Sequence, residues 1–255
     1  MTSAVLDQVL EAHGGAERWR AARAIRARVR SGGFLVRTRF PGNRLADYEL
    51  TVEIGEPAAT MDPFPRDGQR GVFERGRVRI ETAAGDVLES RDDPRAAFSG
   101  LSGLRRNLRW DALDSAYFVG YAMWNYLTTP LLLTRDGVTV RDGEPWREGA
   151  EEWRRLEVDL PDRLDTHSPH QTFYVDSAGL LRRHDYTAAV VGGWARAAHL
   201  LADHREVGGL TFPTRRWVRP RGPGNRVLPG PTLVWIEIVE LRVENDQVHR
   251  GGARD

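Results

Sequence analysis

The sequence predicts an α+β protein with a single highly curved antiparallel β-sheet, an incomplete β-barrel whose concave face is covered by helices. Short segments with frequent apolar–polar alternation, separated by Gly, Pro and Asn, occupy both ends of the chain. One long apolar stretch lies between them, so strands are followed by helices and then by strands again. No period of about 20 to 50 residues recurs, which argues against a solenoid or a propeller. We therefore expect one domain over residues 1–255, with about nine to eleven strands.

Composition limits the chemistry that is available to the protein. The chain has 255 residues and contains neither cysteine nor lysine, so its 37 basic residues are all arginine. Disulfides, thiolate nucleophiles and lysine Schiff bases are therefore excluded. The 37 basic residues nearly balance the 36 acidic ones and form no long block, so we expect no nucleic-acid partner.

The hydropathy of the chain bears on its location. Asp7 and Glu11 lie where a signal peptide needs an apolar core, and no run of 18 apolar residues follows. We expect a cytoplasmic protein without integral membrane association, and the sequence leaves its oligomeric state open.

Two short helices and a series of strands open the chain. The first helix follows the cap residue Ser3 and ends at Gly14-Gly15, and its apolar positions recur at helical spacing: Val5, Leu6, Val9 and Leu10. The strands expected next are "AIRARVRSGG", "FLVRTRF", "LADYELTVEIG", "RGVFERG" and "RVRIETAAG".

A helical insertion is expected at about residues 94–133. Asp93-Pro94 is typical of a helix start, and Pro130 ends the apolar stretch. The sheet then resumes, and its later strands include "VTVRDGEPW", "EWRRLEVDLP" and "TLVWIEIVELRVEN". Residues 246–255 are expected to form a flexible tail.

Two stretches carry a resemblance to a known group of proteins. "EAHGGAERWRAARAIRARVR" reads as a helix, a Gly-Gly turn and a first strand, and "FYVDSAGLLRRHDY" with "VGGLTFPTRRW" reads as a strand-turn-strand and a further hairpin. This order resembles the bacterial lipoprotein-carrier superfamily of LolA-like and LolB-like folds, over most of the chain. The resemblance implies an incomplete β-barrel, plugged by helices, that holds an apolar ligand such as an acyl chain. Those carriers are exported, so this chain would be a cytoplasmic branch.

Five of the seven histidines lie in the second half of the predicted sheet. If the two turns there close short hairpins, His170 lies opposite Tyr186, and His184 lies opposite His199. Asp203 would share their face.

Three interpretations of this cluster are open. Imidazole and phenol groups can exchange protons with a substrate near neutral pH, which makes His184, His199 and Tyr186 the candidate catalytic residues and His170 a substrate contact. Alternatively, these side chains are the water-exposed rim of a sheet. A metal site at His167 and His170 lacks an obvious third ligand, so we expect no metal.

Aromatic residues crowd the helical insertion. There are more of them than a single buried helix stripe needs, so they are either ordinary core or the wall of a pocket. We expect four of them to bind the substrate: Trp110, Tyr117, Tyr121 and Trp124.

Two functions follow from these patterns. The leading hypothesis is an enzyme without metal or organic cofactor, which binds a lipophilic small molecule between sheet and helices. It would transform that molecule by acid-base-assisted cyclisation or hydrolysis, in a biosynthetic role. The alternative is a non-catalytic carrier or sensor of a lipid or another hydrophobic ligand, which uses the same cavity.

Overall fold

A single antiparallel sheet organises the protein. The computed structural model describes residues 3–40, 45–99, 106 and 109–245. Thirteen strands of these residues form one open sheet, which confirms the predicted fold class. The strand number exceeds the expected nine to eleven.

The thirteen strands fall into two arms, because the first and last strands of the chain pair with each other. One arm contains β1 (Ala22–Gly32), β2 (Asp47–Glu53), β3 (Ala58–Asp62), β4 (Gln69–Glu74), β5 (Arg77–Thr82) and β6 (Val87–Arg91). The other contains β7 (Thr139–Glu148), β8 (Glu151–Asp159), β9 (His170–Val175), β10 (Leu181–Thr187), β11 (Arg196–Val207), β12 (Leu210–Pro220) and β13 (Val234–Asn245). Their order across the sheet is β6-β5-β4-β3-β2-β1-β13-β12-β11-β10-β9-β8-β7, so β6 and β7 are the edges.

Two short helices precede the sheet, as the sequence predicts. Helix α1 spans Ala4–Ala12, and the Ser3 side chain accepts a hydrogen bond from its first turn. Helix α2 spans Ala16–Ala21. Gly14 between them has φ +108°, and a Cβ there would lie 2.2 Å from the carbonyl oxygen of Gly209, so this turn requires glycine.

Several sequence expectations for single elements were wrong. "FLVRTRF" forms helix α3 (Phe34–Arg39) instead of a strand. The chain turns at Gly33, and the backbone amides of Phe34 and Leu35 bond to the loop before β13, which removes this segment from the sheet ladder. The alternation of apolar and polar residues did not predict strands β3 and β6. Strand β6 is an exposed edge strand without a buried face.

One long helix covers the first arm. Helix α4 (Ala112–Thr128) begins with a reciprocal capping box between Asp111 and Asp114. It packs on β2, β3, β4, β5 and β6, and residues 113–128 are all buried. Gly120 allows the closest approach, since a Cβ there would lie 2.3 Å from the Cβ of Phe73. No helix in the described part of the chain is long and apolar enough to cross a membrane.

The segment expected to be helical is only partly so. Besides α4, it contains two 3₁₀ turns, at Ala96–Phe98 and Leu131–Thr134. Residues 100–105 and 107–108 of this segment, and the tail at 246–255, lie outside the described residues.

Candidate ligand-binding site

An apolar cavity lies between helices α3 and α4 and the sheet. The volume of this cavity is about 230 Å³. Its walls come from both helices, the β10–β11 loop and six strands or their ends: β1, β2, β10, β11, β12 and β13. No Asp, Glu or His is among its described lining residues. The site is therefore suited to a hydrocarbon group.

Helix α4 presents one face to this cavity. The lining residues recur at helical spacing and are Phe118, Val119, Ala122, Met123 and Tyr126. The sequence indicated an excess of aromatic residues on this helix, and the structure divides them between the cavity face and faces that pack in the core.

None of the four aromatic residues expected to bind a substrate lines the cavity. Trp110 packs edge-on against Phe40, with ring centroids 5.0 Å apart. Trp124 donates from Nε1 to the carbonyl oxygen of Glu53 at 2.9 Å, and Arg135 lies over its ring. Both side chains are thus held within the core, away from the cavity.

The other two aromatic residues bond to the loop between β8 and β9. Tyr117 donates its hydroxyl hydrogen to Asp165, and the hydroxyl of Tyr121 is 3.1 Å from Nδ1 of His167. Tyr117 and Tyr121 do not lie on the face of α4 that lines the cavity. The number of aromatic residues in the sequence does not indicate the direction in which each side chain points.

The mouth of the cavity combines exposed aromatic rings with arginines. Trp194 is 74% exposed and Phe34 is 48% exposed, which is unusual for side chains of this size. Three arginines contribute to the same lining: Arg39, Arg196 and Arg221. Sequence reasoning missed this rim, because it is assembled from α3 and two glycine-containing loops that carry no motif.

The histidine pair expected from the turns is present in the sheet. His184 of β10 lies opposite His199 of β11, as predicted. Both side chains are buried, and their ring centroids are 6.0 Å apart. The Gln171 amide donates to the carbonyl oxygen of Ser168, so its Oε1 accepts a hydrogen bond from Nε2 of His184.

These two imidazoles are held in the neutral form. Burial lowers the pKa of His184 and of His199 well below 6.5, and the positive charge of Arg216 lowers both further. Arg216 is itself buried and donates to the carbonyl oxygen of Tyr126 at 3.0 Å. Burial lowers the pKa of Arg216 to about 10, so it stays charged at neutral pH.

Two tyrosines separate this polar layer from the cavity. Tyr126 and Tyr186 line the cavity, and their hydroxyl oxygens are 3.1 Å apart. The Tyr126 ring lies 4.6 Å from that of His199, and its hydroxyl is 2.6 Å from Nε2 of His167. Of the three candidate catalytic residues, only Tyr186 therefore reaches the cavity wall. Burial raises the pKa of Tyr126 to about 12 and that of Tyr186 well above its usual value.

His184 does not line this cavity but lines a second, much smaller space. The volume of this space is about 10 Å³, and Tyr126 and Arg216 also line it. It is about large enough for one water molecule, so it cannot admit a lipophilic substrate.

The expected position of His170 was wrong. A register shift between Leu181 and Arg183 moves β9 by one residue, so that Phe173 takes the place opposite His184. His170 pairs instead with Asp159 on β8, and its side chain is 84% exposed. A shift of one residue turns every side chain to the other face, which the turn spacing could not reveal.

The structure also shows where Asp203 and the two residues of the proposed metal site, His167 and His170, lie. Asp203 is exposed, with an ion pair to Arg215, and does not join the histidines. His167 is enclosed by tyrosine rings, whereas His170 faces outward. No group of three His, Asp or Glu side chains that could hold a metal ion was found among the described residues.

An open antiparallel sheet with helices over an apolar cavity defines a half-barrel protein. The chain is similar in structure to a LolA superfamily protein from Nitrosomonas europaea, with a TM-score of 0.52 and 11% sequence identity over 95% of this chain and 93% of that chain. It is also similar to a DUF1329 family protein from Desulfovibrio piger, with a TM-score of 0.53 and 12% identity over 98% and 94% of the two chains. The protein thus has a LolA-like fold, as the resemblance in its sequence implied. No protein-family model matches the chain, and no curated protein matches it in sequence.

Proposed function

We propose that the protein binds a lipophilic molecule with an acyl chain in the cavity between α3, α4 and the sheet, and serves as its carrier or sensor. The observation that carries this proposal is the apolar lining, to which Asp, Glu and His contribute nothing among the described residues. Burial of about ten methylene groups would contribute roughly 8 kcal/mol, which corresponds to a micromolar Kd before the cost of ordering the chain.

Catalysis is supported less well than binding. A general acid or base must lie within hydrogen-bonding reach of its substrate, yet His184 and His199 lie behind Tyr126 and Tyr186. A hydrolase or cyclase that uses these histidines would need the two tyrosines to move. The carrier function requires no such movement.

A cavity-filling variant tests the proposal. Ala122 lines the cavity, so Ala122→Phe would place a ring where the acyl chain binds. We expect binding of the uncharged fluorescent dye Nile red, and its displacement by hexadecanol, to weaken at least about 10-fold, since several methylene contacts are lost. Ala178→Phe adds the same ring at an exposed turn and should leave binding unchanged.

The outcomes separate clearly. Loss of binding in Ala122→Phe, with a melting temperature close to that of the unmodified protein, supports the proposal. Equal binding by both variants, or no binding by the unmodified protein, refutes it.

A further inference from the structure

The charged groups at the mouth of the cavity all have the same sign. Arg39, Arg196 and Arg221 contribute to the lining, and no acidic residue does so among the described residues. The surrounding segments 33–40 and 188–197 and the segment 218–234 contain six arginines and no Asp or Glu. In a chain whose net charge is only +1, this is a local concentration of positive charge.

The backbone holds two of these arginines side by side. The amide N–H of Arg221 donates to the carbonyl oxygen of Arg196 at 2.9 Å. Their guanidinium groups then converge on one acceptor, because Oδ1 of Asn225 is 2.8 Å from Nη1 of Arg221 and 3.5 Å from Nη2 of Arg196. Two positive groups are therefore presented together at the opening.

The nearest carboxylate does not neutralise both groups. Asp185 lies 3.7 Å from Nη1 of Arg221, but it accepts two hydrogen bonds from Arg183, at 2.7 and 2.8 Å. Arg196 has no ion-pair partner within the part of the chain that the structure describes. Nε of Arg221 is buried without a hydrogen-bond partner among the same residues. Burial lowers the pKa of this guanidinium, although the charge of Asp185 raises it, and the charge of Arg196 lowers it further.

We infer that Arg196 and Arg221 bind the oxyanion head group of the ligand, a carboxylate or a phosphate, so that the ligand is an acidic amphiphile. Guanidinium groups suit both anions, because their N–H donors match the spacing of the anion's oxygens. The acyl chain would occupy the apolar cavity, while the head remains beside exposed Trp194 at the mouth. This inference rests on the proposed function and specifies the class of ligand.

Ligands of equal chain length test the inference. Displacement of Nile red would be measured with palmitate, hexadecyl phosphate, hexadecanol and hexadecyltrimethylammonium, each below its micellar concentration. We expect the two acids to bind at least about 10-fold more tightly than hexadecanol, since each charge-assisted hydrogen bond is stronger than a neutral one. The cationic amphiphile should bind most weakly, and the order of the two acids identifies the head group.

Variants locate the site. Arg196→Gln and Arg221→Gln should each weaken the binding of the two acids more than that of hexadecanol, and so reduce the preference for the acids. Arg196 is exposed, so its variant tests the inference even if Arg221→Gln fails to fold. Arg219→Gln is the control, because Arg219 does not line the cavity and donates to the carbonyl oxygen of Pro229.

Each outcome has one meaning. Equal affinities of palmitate and hexadecanol for the unmodified protein, or an acid preference that both variants retain, overturn the head-group site while acyl-chain binding stands. If Nile red and all four amphiphiles fail to bind, the proposed function itself is refuted, and the head-group site with it.

Discussion

At the scale of single residues, burial makes the histidines structural groups. Two buried imidazoles side by side in a sheet would repel each other if protonated, and the nearby charge of Arg216 adds to that repulsion. The neutral forms instead pack against aromatic rings. The Phe173 and His184 rings stack with centroids 4.1 Å apart.

Replacement of His184 and replacement of His199 should have different effects on the free energy of unfolding. Neither ring nitrogen of His199 has a hydrogen-bond partner among the described residues, so His199→Leu should change the free energy of unfolding by less than about 1 kcal/mol. His184→Leu would leave Oε1 of Gln171 buried without its partner and should cost about 1 to 3 kcal/mol. Urea denaturation measures both values, and a larger loss for His199→Leu would contradict this assignment.

The same burial makes stability depend on pH. Burial lowers the pKa of His167 to about 3, while histidine in the unfolded chain titrates near 6.5. Well above pH 6.5 neither state binds this proton, so stability is unaffected. Below it, the unfolded chain takes up a proton that the folded chain does not, and the free energy of unfolding falls as pH decreases toward the folded pKa.

His167→Gln should therefore flatten the acid side of the stability profile. At pH 4.5, about two units below 6.5, His167 alone would account for roughly 3 kcal/mol of lost stability. Urea denaturation between pH 7.5 and 4.5 measures the difference. Parallel profiles for His167→Gln and the unmodified protein would show that His167 is not the cause.

At the scale of elements, α4 positions the cavity by its close contact with β4. Gly120→Ala would force a Cβ to within 2.3 Å of the Cβ of Phe73. Alanine favours a helix by about 1 kcal/mol, but overpacking costs about 1 to 3 kcal/mol, and rigid backbone on both sides leaves little room for relief. We expect net destabilisation by thermal or urea denaturation.

A second glycine provides the control for this prediction. A Cβ added at Gly55 would meet no atom within 4 Å, and the φ of Gly55 is not left-handed, so Gly55→Ala should have little effect. A Gly120→Ala protein as stable as the Gly55→Ala protein would mean that α4 lies farther from β4 than the structure places it.

The elements also show what sequence patterns can and cannot predict. Alternation and turn residues predicted the antiparallel sheet, and the Gly192-Gly193 turn gave the register of His184 with His199. They could not reveal the shift before Arg183, which displaced His170, because a bulge adds a residue without changing the pattern. The excess of aromatic residues on α4 was visible, but their directions depended on where the helix docks.

At the scale of the whole molecule, the fold separates two environments that the sequence suggested were one. A neutral, buried layer of histidines lies under Tyr126 and Tyr186, and the apolar cavity lies on the other side of these rings. The arginine-rich mouth belongs to the cavity. Sequence reasoning joined the histidines and the aromatic helix into a single site, because both carry conspicuous residues, whereas the cavity lining is mostly Val, Ala, Leu and Phe.

Photochemical labelling tests acyl-chain binding in the cavity most directly. A palmitate analogue with a diazirine at mid-chain would be bound, irradiated, and mapped by peptide mass spectrometry, with excess palmitate as competitor. We expect competed labels on the α4 face around Ala122 and Met123 and on the loop at residues 188–195. Labels concentrated on the exposed apolar edge at Val87 and Leu88, or labels that palmitate does not reduce, would contradict binding in the cavity.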